Sequence, residues 1–286
     1  MFPFAIAVVL QLRAATLDLT TAAQASPRPR ECRGVAGNDG VWARLRGADA
    51  QRYCELLARG YARLGQTPQE ALLAARSAEA LAGPLPAVRV LSARANLRLG
   101  ESQLAYQLFQ QAEASDAQAL GDPKALHDYA RAASLAGQAP EAVRLYRLLV
   151  SRVALLDDPR ERAFAQIEAA AHVLAHVERG ADEALGYLAH ARHESLGLSA
   201  WVAGLRLLAL QRSGRTEARG SLGAPPSLAS LGKPPATVFS AQFPLLPAGM
   251  FGALGAALTE RTERAAARGL PMPKRAGAGA GKDQAR

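Results

Sequence analysis

The sequence predicts an all-α fold, built as an array of stacked, antiparallel helix pairs. Three observations carry this expectation. Leu57-Ala58-Arg59-Gly60-Tyr61-Ala62-Arg63-Leu64-Gly65 returns as Ser92-Ala93-Arg94-Ala95-Asn96-Leu97-Arg98-Leu99-Gly100 and, more loosely, as Tyr129-Ala130-Arg131-Ala132-Ala133-Ser134-Leu135-Ala136-Gly137, with the closing glycines 35 and then 37 residues apart. A period in that range belongs to repeated two-helix units that bury their faces against one another. The chain of 286 residues is 49% hydrophobic, mostly Ala and Leu, with only 5% aromatics. Ala and Leu are strong helix formers, and the period-two Val and Ile runs that would mark strands are missing.

The elements follow in chain order. Residues 1–25 read as a secretory leader: Phe2 to Leu10 is a short apolar core, and Ala23-Gln24-Ala25 offers small residues before Ser26. No Lys or Arg precedes that core, and it is too short to span a bilayer. Residues 26–48 are rich in Pro, Arg and Gly, with Trp42 as the one large anchor. The array occupies residues 49–219, with about four helix pairs and a partial fifth. Within each unit a first helix closes at a Gly (Gly65, Gly100, Gly137), suited to a left-handed cap, and an Ala (Ala71, Ala105, Ala142) then opens the packed face of the second. Thr67-Pro68-Gln69-Glu70 has the capping chemistry of a helix start. Asp122-Pro123 and Asp158-Pro159 open first helices with Asp as N-cap. Arg160 to Glu178 and Asp182 to Glu194 form a longer pair, and Trp201 to Gln211 is a further first helix whose partner begins at Glu217-Ala218. Residues 220–246 are a Pro- and Gly-rich linker, 247–270 an amphipathic C-terminal helix, and 271–286 a disordered tail.

The formal charge is +9. From Gly220 onward eight Lys or Arg face three acids, so about half of the excess lies outside the repeats. A basic balance suits an anionic partner, although charge spread along solvated helix faces is the simpler account of it. Cys32 and Cys54 are the two cysteines. Behind a leader they allow one disulfide tying the pre-repeat segment to the first helix. Cys54 alone also reads as a small buried residue.

A small residue, then Tyr, Leu-Gly, Glu-Ala and an aromatic, at a period near 34, resembles the tetratricopeptide repeat (TPR). The residues that carry the likeness are Ala58, Tyr61, Gly65, Glu70-Ala71 and Ala78, then Ala93, Gly100, Ala105, Phe109 and Ala112. Ala130, Gly137, Glu141-Ala142 and Tyr146 make a third copy, and Ala171, Gly180, Glu183-Ala184 and Ala191 a stretched fourth. The resemblance covers residues 50 to 218; it departs from the family at Cys54, where an aromatic is usual. It implies a right-handed superhelix, an α-solenoid whose groove, lined by first helices, holds an extended peptide or a partner helix. In that family the position after the small residue of the first helix faces the groove. Here it is Arg59, Arg94 and Arg131, with Arg63 and Arg98 one turn on. Stacked units would set these guanidiniums in a column able to fork onto carboxylates.

Other constellations carry less. Glu168, His172 and His176 share one helix face, with His190 and His193 on the next, but the order is not that of a helical zinc site. They read as packed or surface side chains. Gly277 to Lys282 looks like a phosphate loop without its hydroxyl, strand or helix. No nucleophile elbow is present. The expectation is a non-enzymatic, cofactor-free scaffold that binds an acidic protein or peptide in a bacterial periplasm or envelope, with no metal and no transmembrane segment in the mature chain. The competing expectation is a cytoplasmic array binding an anionic partner such as nucleic acid.

Overall fold

The computed structural model describes Cys32, residues 48–191 and residues 199–213. Among them are nine α-helices and no strand: α1 (Ala48–Arg63), α2 (Pro68–Ala82), α3 (Pro86–Arg98), α4 (Ser102–Ser115), α5 (Pro123–Leu135), α6 (Ala139–Ser151), α7 (Pro159–His176), α8 (Ala181–His190) and α9 (Ser199–Arg212). A short 3-10 turn, Val153–Leu155, lies between α6 and α7. The leader, the linker, the C-terminal helix, the tail and Glu217-Ala218 lie outside the described residues.

Each helix packs on its neighbours in sequence, and α1 also meets α3, α3 meets α5, and α7 meets α9. First helices therefore touch first helices across units, an α-solenoid-like arrangement in which each unit buries its face on the next. The apolar core runs in three overlapping stretches, from α1 to α3, from α3 to α7, and from α6 to α9. Small residues make the close approaches: Ala71, Ala105, Ala142 and Ala184 on the second helices are fully buried. At Gly60 a Cβ would fall 2.5 Å from Leu91 Cδ2, so α1 and α3 meet at a glycine. Tyr53, Phe109, Tyr129 and Tyr146 fill the remaining gaps, and Phe109 stacks on Tyr129 at 5.1 Å.

The helix starts follow local chemistry in two places and depart from it in one. Asp122 Oδ1 accepts from Lys124 N at 3.0 Å and Asp158 Oδ1 from Arg160 N at 2.8 Å, each satisfying an orphan donor of the first turn. Thr67 makes no side-chain cap, and its Oγ1 is buried without a partner. Its backbone, at φ −135° and ψ 73°, does not hold the extended cap geometry. Gly100 and Gly137 hold the left-handed conformation at φ +88° and +73°. Gly65 does not; the positive-φ glycine of the first unit is Gly83, after α2. Gln66 N and Thr67 N both return to Arg63 O, a turn that needs no left-handed residue.

Three first helices are buried over long continuous stretches, residues 90–97 of α3, 125–133 of α5 and 163–175 of α7. Helices covered on every side must bury whatever polar residues they carry. This is what builds the site.

Candidate functional site

Nine polar residues are buried among the described residues, and all lie on α3, α5 and α7: Ser92, Arg94, Asn96, His127, Asp128, Arg131, Gln166, Glu168 and His172; the side chain of Arg98 is buried beside them. Burying a charge is costly unless it is paired and hydrogen-bonded. Here the pairing is made between successive units. Arg94 Nε donates to Asp128 Oδ2 at 2.7 Å. Arg98 Nη2 donates to Asp128 Oδ1 at 2.9 Å and Oδ2 at 3.1 Å. Arg94 also lies 3.7 Å from Asp122, and its guanidinium sits 5.7 Å from the Tyr61 ring of α1.

One unit on, the motif recurs. Arg131 Nη2 donates to Glu168 Oε1 at 2.6 Å and its Nε to Oε2 at 3.1 Å, a two-pronged grip. Glu168 Oε2 also accepts from Tyr146 Oη at 2.9 Å and meets His127 Nε2 at 2.7 Å. An ionised carboxylate only accepts, so His127 carries its proton on Nε2. Four donors thus converge on Glu168, three on Oε2 and one on Oε1, and hold it as a buried anion between the units.

Burial alone would raise both carboxyls. For Asp128 the guanidiniums of Arg98, Arg94 and Arg131 outweigh it, and for Glu168 those of Arg131 together with His127 do; both are held well below the usual carboxylate range. Burial likewise opposes the Arg94 cation, and Asp128 and Asp122 overcome it. Arg98 is the exception: burial, with repulsion from Arg94 and Arg131, pushes it down despite Asp128. Its Nε and Nη1 are buried without a partner.

His172 closes the series. It follows Ala171 as Arg131 follows Ala130, but α9 carries no acid to meet it. The ring stacks on Tyr146 at 4.6 Å and faces His176 at 5.9 Å, and neither of its nitrogens is hydrogen-bonded. Burial, then His176, pushes it down to about 3, against a small pull from Glu168. A neutral ring without partners is the physical answer to a slot with no counter-ion.

The expected column of arginines is therefore divided. Arg94, Arg98 and Arg131 are brought together, with their side chains buried and held by Asp128 and Glu168 rather than standing as an open row. Arg63 is half-buried, and its guanidinium lies 3.4 Å from Glu70. Arg59 is exposed, with no ion pair among the described residues, and borders a hollow of about 370 Å³ with Gln51, Arg52, Glu55 and Leu56. Cys32 and Cys54 form a disulfide, Cα to Cα 5.8 Å. Among the described residues no group of three or more His, Cys, Asp and Glu is placed to hold a metal ion, and no helix is long and apolar enough to cross a membrane.

Sequence reasoning missed Asp128, and it read Glu168 only as a packed or surface side chain. Asp128 follows Arg94 by 34 residues and Glu168 follows Arg131 by 37. An acid one period beyond a recurring arginine was the available signal, and nothing of the kind follows Arg59.

No family model matches this chain, and neither a curated protein nor a solved structure does.

Proposed function

We propose that the chain is a non-catalytic, TPR-like scaffold, a right-handed superhelix that holds another protein in the periplasm or cell envelope. The observation that carries this reading is the buried Arg–acid pairing between successive first helices. It commits the chain's most buried charges to joining one unit to the next, which suits a molecule whose task is to hold a shape. The Cys32–Cys54 disulfide supports an oxidising compartment, where such bonds persist. With Arg94, Arg98 and Arg131 engaged, the cations of the first-helix series left for an acidic partner are Arg59 and, in exchange for its open contact with Glu70, Arg63, and Arg52 stands beside Arg59.

Cross-linking capture from fractionated cells, with and without reductant, tests the reading. The expected result is an envelope-fraction chain that captures an acidic protein, with capture lost in the double variant Arg59→Glu, Arg63→Glu. An uncleaved cytosolic chain ends the envelope assignment, and capture unaffected by the charge reversal ends the role of these two arginines.

A further inference from the structure

The second helices carry their own ladder, and it stops short of the first unit. Each second helix can be counted from its buried alanine: Ala71 in α2, Ala105 in α4, Ala142 in α6 and Ala184 in α8. Arg144, two residues beyond Ala142, donates to Glu113, eight beyond Ala105, at 3.0 Å. Arg147, five beyond Ala142, grips Glu183, one before Ala184, with two bonds of 2.8 Å. Tyr187 Oη steadies that carboxylate at 2.6 Å. The two contacts share one register: a residue on one second helix meets the residue six places lower on the next.

Carried to the first joint, that register would set Arg76, five beyond Ala71, opposite Leu104, one before Ala105. Where Arg147 has Glu183, Arg76 has a leucine. Arg76 is exposed and makes no ion pair or hydrogen bond among the described residues, and Glu79, one turn on along α2, is not bonded to it. Leu104 is 45% exposed, and Leu73, one turn before Arg76, is 60% exposed. They are two of the three large apolar side chains that the described residues leave open. By that register the first joint has an unmatched guanidinium and open leucines where the later joint has the Arg147–Glu183 clamp.

We propose that this face docks an amphipathic helix of a partner protein, which places a carboxylate on Arg76 as Glu183 does on Arg147 and covers Leu73 and Leu104 with its apolar stripe. Charge decides the occupant. The guanidinium calls for an acid, whereas the chain's own residues from Gly220 onward carry a net positive charge. A helix suits the face because an amphipathic one can carry an acid beside an apolar stripe, which would cover leucines left open on two neighbouring helices. The proposal rests on the scaffold reading but uses a different face from Arg59 and Arg63.

The test titrates the full chain with two synthetic amphipathic helices that share a leucine stripe and differ only in one central residue, Glu or Gln, followed by fluorescence anisotropy. The Glu peptide is expected to bind about tenfold more tightly than the Gln peptide. Arg76→Gln is expected to erase that preference, and Leu73→Ser with Leu104→Ser to weaken both peptides by about tenfold or more. Circular dichroism checks that each variant keeps its helices. No binding of the Glu peptide, equal binding of the two, or a preference that survives Arg76→Gln overturns the proposal. Self-association of the free chain that Leu104→Ser abolishes also overturns it, assigning the face to a second copy. Peptide preference without capture of an envelope protein would leave this surface standing while the scaffold's compartment fell, so the two readings fail separately.

Discussion

Arg94 reaches across 34 residues of sequence to donate to Asp128 at 2.7 Å, with both side chains buried. The pair sits between two first helices, α3 and α5, and Arg98 closes on the same carboxylate. Removing the acid therefore strands two guanidiniums. Asp128→Asn is expected to cost about 3–5 kcal/mol, the usual range when one partner of a buried ion pair is lost. Arg59→Gln, at the same repeat position but exposed and unpaired, should stay within about 0.5 kcal/mol of the parent. Urea unfolding followed by circular dichroism measures both, and equal effects would mean that the buried pairing does not join the units.

The acid sensitivity of the fold has two stages. His172 is buried neutral, and its pKa falls from the ordinary 6.5 to about 3. Below about pH 6.5 the unfolded chain takes up a proton that the folded chain refuses, so stability falls with pH, on the order of 1 kcal/mol per unit from this group. Asp128 and Glu168 have depressed pKa values, so their contribution is full above about pH 4 and is lost below it. His172→Phe, which can still stack on Tyr146, should flatten the stability curve between about pH 6.5 and 4 and leave the steeper loss below it. Denaturant midpoints at a series of pH values check this. A variant with the parent's slope would show that another group near α7 governs the upper stage.

The disulfide closes a chain segment between residues 22 apart. Cross-links of that span limit the unfolded ensemble and contribute about 2–4 kcal/mol. Cys54→Ser should lower the stability of α1 by that order and leave α5 and α7 nearly unchanged, since repeat arrays transmit stability mainly to nearest neighbours. Hydrogen exchange resolves this helix by helix. A uniform loss of protection across all nine helices would contradict it.

How far the fold was legible depends on what each residue needed from its surroundings. Helix order followed from local signals: the Pro at the start of α5 and α7, and the Asp before each, act within their own turn. The recurring arginines were legible too, but their fate was not. Whether a guanidinium after the small residue meets solvent or a carboxylate depends on the neighbouring first helix, one period away. Arg59, Arg94 and Arg131 look alike in sequence, yet only the last two have an acid 34 to 37 residues on. Thr67 and Gly65 show the opposite limit. Each carries a strong local preference, and the turn that joins α1 to α2 overrides both.

Leu104→Glu tests the register of the second helices directly. If Arg76 faces position 104 as Arg147 faces Glu183, a glutamate there meets an exposed, unmatched guanidinium, and the first joint gains the clamp that the later joint already has. The pair is at the surface, so the gain is expected to be small, about 0.2–1 kcal/mol, and to shrink as salt screens it. A double-mutant cycle with Arg76→Gln isolates the pair from the change in exposed apolar area that Leu104→Glu brings with it. The coupling should vanish in about 1 M salt, where the Debye length is about 3 Å. Stabilisation that persists at high salt, or that survives in the Arg76→Gln background, would arise from removing the leucine alone, and Arg76 would then not lie opposite residue 104.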